Sequence, residues 1–189
     1  MARTLIFPGL NGSGEGHWQQ YWAQDDATAL IVQQRDWERP VLDEWAARAE
    51  AALVACGEAF IVAHSLGCLL AARLADRPVA RRIKGALLVA PCDLERTERL
   101  HPGQIEFADM PARELPFSTL VVGSLDDHYM SFERLRHYAS LWKSDLIHLG
   151  HAGHINVASG FGRWQDGYDL VKRLKTQSDR PALATLAAS

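Results

Sequence analysis

The chain has 189 residues, enough for one domain with its own core. Apolar residues make up 48% and charged residues 23% against a net charge of −3, close to the mix of an ordinary globular domain. No Lys/Arg stripe is present to neutralise phosphates, so nucleic acid is not an expected partner. No segment approaches the roughly 18 consecutive apolar residues of a membrane span, and the first residues are too short an apolar run for a signal peptide. The three cysteines, Cys56, Cys68 and Cys92, lack C-x-x-C spacing and cannot all pair within one chain, which points to a reduced, cytoplasmic setting.

Strand-like and helix-like segments alternate. Short apolar, β-branched runs predict buried strands over 4–7, 29–32, 59–63, 85–90, 119–123 and 146–149. Helical spacing falls between them, over 18–24, 41–55, 66–74, 132–142 and 164–174. In the second of these, Leu42, Trp45, Ala49 and Leu53 form one stripe, with Asp43, Glu44, Arg48 and Glu50 off it. The alternation predicts an α/β fold of about six parallel strands with helices on both faces. Residues 91–116 break the pattern with four prolines and many charges, and a loop of that length is expected to be functional or to carry short structure of its own. Residues 1–175 read as a single domain, and 176–189 as a flexible tail.

The most informative stretch is Ala63-His64-Ser65-Leu66-Gly67, where a buried strand runs straight into a helix. That is the setting of the G-x-S-x-G nucleophile turn, in which small residues flank a strained serine raised above the strand ends. Gly67 fits, whereas Ala63 stands where the first glycine belongs. Ser65 is therefore the candidate nucleophile, with the Leu66 amide as one oxyanion donor. The bland alternative is that Ser65 only caps the helix. After the first strand, Pro8-Gly9-Leu10-Asn11-Gly12-Ser13-Gly14 has the glycine content needed for a second donor, Leu10 first and Asn11 second. It has neither a Walker lysine nor G-x-G-x-x-G spacing, which argues against nucleotide binding.

The fifth strand ends in Gly123-Ser124-Leu125-Asp126-Asp127. An acid is expected just past such an end, and the G-x-x-D distance selects Asp126, with Asp127 as the alternative. The last strand leads to His148, His151 and His154. A metal reading fails because Gly150 and Gly153 oppose the helix that would gather them, so no metal site is expected. The base is expected at His154, with His151 next in line, and Ser65…Asp126…His154 is the order this architecture uses. Asn11, Trp18 and Tyr129 are the expected substrate-binding residues, although the aromatics after His17 suit core packing as well. Cys68, a competing thiol nucleophile, falls inside the helix after Ser65.

Together these motifs resemble the small, lidless serine hydrolases of the α/β-hydrolase superfamily typified by retinoblastoma-binding protein nine. The resemblance runs from Phe7-Pro8-Gly9 and His17-Trp18 through the Ser65 turn to Gly153-His154-Ile155-Asn156. It implies an α/β-hydrolase fold without a separate lid domain, and serine-hydrolase chemistry without a cofactor. It matches Ser65 to the nucleophile, Asp126 to the acid and His154 to the base. The expected partner is a small ester, preferably short-chain, and the oligomeric state is left open. Some members of the family act as binding proteins, so a protein-binding module on the same fold is the alternative function.

Overall fold

The computed structural model describes residues 2–178. Six strands form one sheet: β1 (Arg3–Phe7), β2 (Ala29–Ile31), β3 (Ala59–His64), β4 (Ile83–Val89), β5 (Thr119–Gly123) and β6 (Asp145–His148). Their order is β2-β1-β3-β4-β5-β6, and every neighbouring pair is parallel. The α-helices are α1 (Trp18–Asp25), α2 (Leu42–Cys56), α3 (Leu66–Arg73), α4 (Leu94–Leu100), α5 (Phe132–Leu141) and α6 (Gln165–Ser178). Strand and helix ends differ from the sequence expectation by a residue or two, and by more only where α6 runs to Ser178. That helix takes in the first three residues of the expected tail, and 179–189 lie outside the described residues.

The central strands bury both faces, which is why they read as continuous apolar runs. Successive side chains nevertheless go to opposite sides. Leu5, Phe7, Ile61, Ala63, Ala86 and Leu88 pack with α2, α3 and α5. Ile6, Val62, Leu87, Val89 and Val122 pack with α1 and α6. In α2 the buried stripe is Trp45, Ala46, Ala49 and Leu53, and the helix stops at Gly57, whose positive φ lets its N–H reach the Leu53 carbonyl at 3.0 Å. This is the α/β-hydrolase fold, and no separate lid is present among the described residues. No helix among them is long and apolar enough to cross a membrane.

Residues 91–116 do carry structure of their own. Asp93 caps α4 by accepting from the Arg96 amide at 3.0 Å, and its second oxygen pairs with Arg134. Phe107 and Leu115 anchor the rest of the segment in the core, and Val41 bridges to Glu106. The segment therefore lies packed against the body of the domain, with α4 close to the sheet's C-terminal edge.

Candidate active site

Parallel strands deliver their C-terminal loops to one edge, and Ser65 and His154 meet there. At the end of fully buried β3, Ser65 adopts φ 53° and ψ −121°, a strained conformation for a residue with a side chain. Its N–H donates to the Val89 carbonyl at 3.1 Å, and its own carbonyl accepts from the Cys68 amide at 3.0 Å. The turn closes because Gly67 has no side chain: a Cβ there would overlap the Phe7 carbonyl oxygen and stand 2.6 Å from that of Pro8. Ala63 faces no such limit. Its methyl is buried in the core between Phe7 and Leu88, so alanine fills the first glycine position of the motif.

Gly9 lies against the serine, where an added Cβ would be 2.8 Å from the Ser65 Cβ and 3.2 Å from the Leu66 nitrogen. The loop after β1 thus brings its backbone beside the nucleophile turn. Among the described residues, neither the Leu10 nor the Leu66 amide has a hydrogen-bond acceptor. The Asn11 amide is committed to the Trp37 carbonyl at 2.7 Å, which leaves Leu10 as the candidate donor from this loop.

His154 reaches Ser65 from the loop after β6, with Nε2 2.9 Å from Oγ. On the other side of the ring, Nδ1 is 2.8 Å and 3.0 Å from the two carboxylate oxygens of Asp127. A carboxylate is an acceptor only, so Nδ1 carries the proton and Nε2 accepts from the Ser65 hydroxyl. This corrects the expectation for Asp126. The Asp127 side chain is 4% exposed and rests on the histidine, whereas that of Asp126 is 46% exposed and does not. The G-x-x-D count stops one residue short: Asp126 lies in the turn itself, and Asp127 is carried inward over the strand ends.

Asp126 has a different task. Its Oδ1 accepts from Ser124 Oγ at 2.6 Å and from the Gly153 amide at 2.9 Å. These bonds, the serine first, hold its carboxyl below the usual carboxylate range. Ser124 Oγ also accepts from the Ala152 amide at 2.9 Å, and the Leu125 amide donates to the Gly150 carbonyl at 2.8 Å. The β5 turn thereby grips the loop that carries His154. His151 is exposed, 3.8 Å from Asp126, and His148 Nδ1 accepts from the Gly150 amide. Among the described residues, no group of three or more His, Cys, Asp or Glu side chains is gathered as a metal site requires.

Trp18 is a second correction. It is not on the substrate wall: its ring is 1% exposed, packed against Trp22 and Trp164, and its indole N–H donates to the Ile155 carbonyl at 2.9 Å. Because α1 starts at this residue, the side chain is laid onto the sheet under the His154 loop. Asn11 and Tyr129 do line the cavity above Ser65, a space of about 180 Å³. The Tyr129 ring centroid is 4.3 Å from that of His154, and its hydroxyl is 2.9 Å from His101 Nε2.

Sequence reasoning gave no role to several residues that meet here. Thr97 of α4 lines the cavity, so the 91–116 segment supplies one wall. His64 donates from Nε2 to the His154 carbonyl at 2.9 Å, and its ring lies between those of His17 and His154, at 4.9 and 4.8 Å. Burial, then the neighbouring His154 and His17, push His64 well below the usual histidine range, so it stays neutral. Cys92 is buried, and that burial pushes its thiol up to about 11. Cys68 is also buried, raised well above the usual thiol range by that burial, and donates to the Val89 carbonyl at 3.3 Å. Neither thiol forms a thiolate at neutral pH, which removes the thiol-nucleophile alternative.

Comparison with known proteins bears on the fold and the family. A protein described as a YdeN-like hydrolase, from Pectobacterium atrosepticum, is 31% identical, with 94% of this chain and 92% of that chain covered at a TM-score of 0.83. The ydeN gene product of B. subtilis is 20% identical over 93% of this chain and 100% of its own, with a TM-score of 0.74. Esterase 2 of Thermogutta terrifontis is 16% identical over 95% and 85%, with a TM-score of 0.70. At these identities the last two show the shared fold. A sequence search of curated proteins gives no match. The family model for serine hydrolases matches residues 4–173, nearly all of the described chain, and the protein belongs to that serine hydrolase family.

Proposed function

We propose that the protein hydrolyses small carboxylic esters through an acyl-enzyme on Ser65, with His154 as the base and Asp127 as the acid. One observation carries the reading: the unbroken hydrogen-bonded series from Ser65 Oγ through His154 to Asp127, at 2.9 and 2.8 Å. His154 Nε2 takes the hydroxyl proton as Oγ bonds to the substrate carbonyl carbon. Asp127 fixes the tautomer of the neutral ring and stabilises the imidazolium that forms. The oxyanion is held by the Leu66 and Leu10 amides, aided by the partial positive charge at the start of α3. His154 then gives its proton to the departing alkoxide. Water, deprotonated by the same nitrogen, attacks the acyl carbonyl and releases the acid and the free serine.

The size of the substrate follows from the cavity. About 180 Å³ is below the roughly 300–1,000 Å³ of sites for drug-sized ligands, which suits a short acyl group. A fold neighbour named as an esterase supports the reaction class. The narrower likeness to hydrolases typified by retinoblastoma-binding protein nine rests on the motifs around Phe7, His17, Ser65 and His154. The test is turnover of p-nitrophenyl acetate by the wild type and by Ser65→Ala. Activity of the wild type that falls to background in the variant supports the assignment, and equal rates sink it.

A further inference from the structure

His17 stands beside the nucleophile but takes no part in the proton path from Ser65 to Asp127. It is 6% exposed, and its ring lines the cavity above Ser65. Its Nδ1 accepts from the Gln19 amide at 3.2 Å and so caps α1. Burial, then the nearby His154, push its pKa down to about 4, which leaves the ring neutral at pH 7. A neutral imidazole has one N–H, and with Nδ1 accepting, that proton is on Nε2. Among the described residues, Nε2 has no hydrogen-bond partner.

The donor opens to the cavity and is not sealed in protein, so a substrate oxygen can take the place of solvent on it. The donor is also rigid. The start of α1 is tied down by Gln19, whose side chain donates to the Phe7 and Val62 carbonyls at 3.2 Å each and accepts from Ser13 Oγ at 2.5 Å. The ring is held between Trp18 and His64, at centroid distances of 5.3 and 4.9 Å. No Lys, Arg, Asp or Glu side chain is among the described residues lining the cavity, so nothing there matches a charged group on the substrate.

We propose that His17 Nε2–H is a substrate-recognising donor that meets a neutral oxygen, whether ether, hydroxyl or carbonyl, flanking the ester bond, so that the preferred substrates are short esters bearing such an oxygen. The inference rests on Ser65 being the nucleophile, and it narrows the substrate class of that site. A neutral hydrogen bond made in this setting changes kcat/KM by about five- to tenfold.

The experiment uses two isosteric pairs: p-nitrophenyl methoxyacetate against p-nitrophenyl butyrate for the acyl side, and 2-methoxyethyl acetate against butyl acetate for the alcohol side. Each kcat/KM ratio is divided by the ratio of the hydroxide-catalysed rates, which removes intrinsic reactivity. The wild type is expected to favour the oxygen-bearing member of at least one pair by about five- to tenfold. His17→Asn keeps an acceptor for the Gln19 amide but lacks the ring donor, and it is expected to bring that ratio close to one. A wild type without preference in either pair overturns the proposal even if the variant does not fold, and so does a preference that survives in His17→Asn. Ser65→Ala, run on the same four esters, separates the two readings. Turnover that persists there overturns the nucleophile assignment, and with it the proposal. Turnover that needs Ser65 but shows flat ratios overturns the role of His17 alone.

Discussion

Asp127 Oδ2 and His154 Nδ1 are 2.8 Å apart, and the two side chains are 4% and 5% exposed. The adjacent carboxylate, Asp126, is turned toward the backbone of the histidine's loop instead, through the Gly153 amide. Two neighbouring residues of one chemical type therefore do different work: one orients the imidazole, the other holds the loop that carries it.

Asp127→Asn should lower kcat by roughly 10⁴-fold, because an amide cannot hold the proton on Nδ1 as a carboxylate does. Asp126→Asn should stay within a few-fold of wild type, since Asn Oδ1 can accept from both Ser124 and Gly153. Asp126→Ala removes that acceptor and should lose about tenfold in kcat. Steady-state kinetics of the three variants decide the matter. A larger loss in Asp126→Asn than in Asp127→Asn would return the acid to Asp126.

Gly9→Ala should reduce ester hydrolysis by 10²-fold or more, on the order of losing one oxyanion donor. The new methyl would meet the Ser65 Cβ at 2.8 Å, so either the serine or the Leu10 loop has to move. Circular dichroism separates this from misfolding. A folded Gly9→Ala protein with wild-type kcat/KM would show that the loop does not serve the reaction.

Stability should fall as the pH drops below neutrality. His17 is held at about 4 in the folded protein but titrates near 6.5 when unfolded. Between these values the unfolded chain binds the proton and the folded one does not, so unfolding gains on acidification. The stability is intact above about 6.5 and is lost toward pH 4, by about 3 kcal/mol for His17 if the whole interval is crossed. His64 acts in the same direction. Thermal melts between pH 7 and 5 should show Tm declining, with a shallower slope in His17→Asn. A Tm flat over that range, or equal slopes in the two proteins, would contradict the burial of a neutral His17.

Acyl-chain preference follows from the volume above Ser65. Acetate and butyrate esters should be turned over with higher kcat/KM than esters beyond about eight carbons, and no jump in rate should occur at the solubility limit. A p-nitrophenyl ester series checks both points. Higher kcat/KM on long chains, or interfacial activation, would require an apolar channel larger than this cavity.

Much of this was legible in the sequence, for physical reasons. Strands buried on two faces are apolar throughout, so β1, β3, β4 and β5 stand out, and Ser65 is marked by the abrupt strand-to-helix change that surrounds it. What spacing does not carry is direction. Asp126 and Asp127 differ by one position, and only the turn geometry sends the second one inward. His17 and Trp18 are likewise adjacent, yet the indole packs down onto the sheet while the imidazole lines the cavity. Thr97 reached the site through α4, inside a segment whose charges and prolines hide a short helix capped by Asp93.

The central claim is that Ser65 is the group that bonds to the acyl carbon. Intact-mass and peptide-mapping spectrometry after treatment with a fluorophosphonate tests it most directly. An activated Ser65 predicts a single adduct, located on the peptide containing Ser65, formed by the wild type, absent in Ser65→Ala, and slowed severely in His154→Ala. No adduct on the wild type, or an adduct that persists in Ser65→Ala, would contradict it.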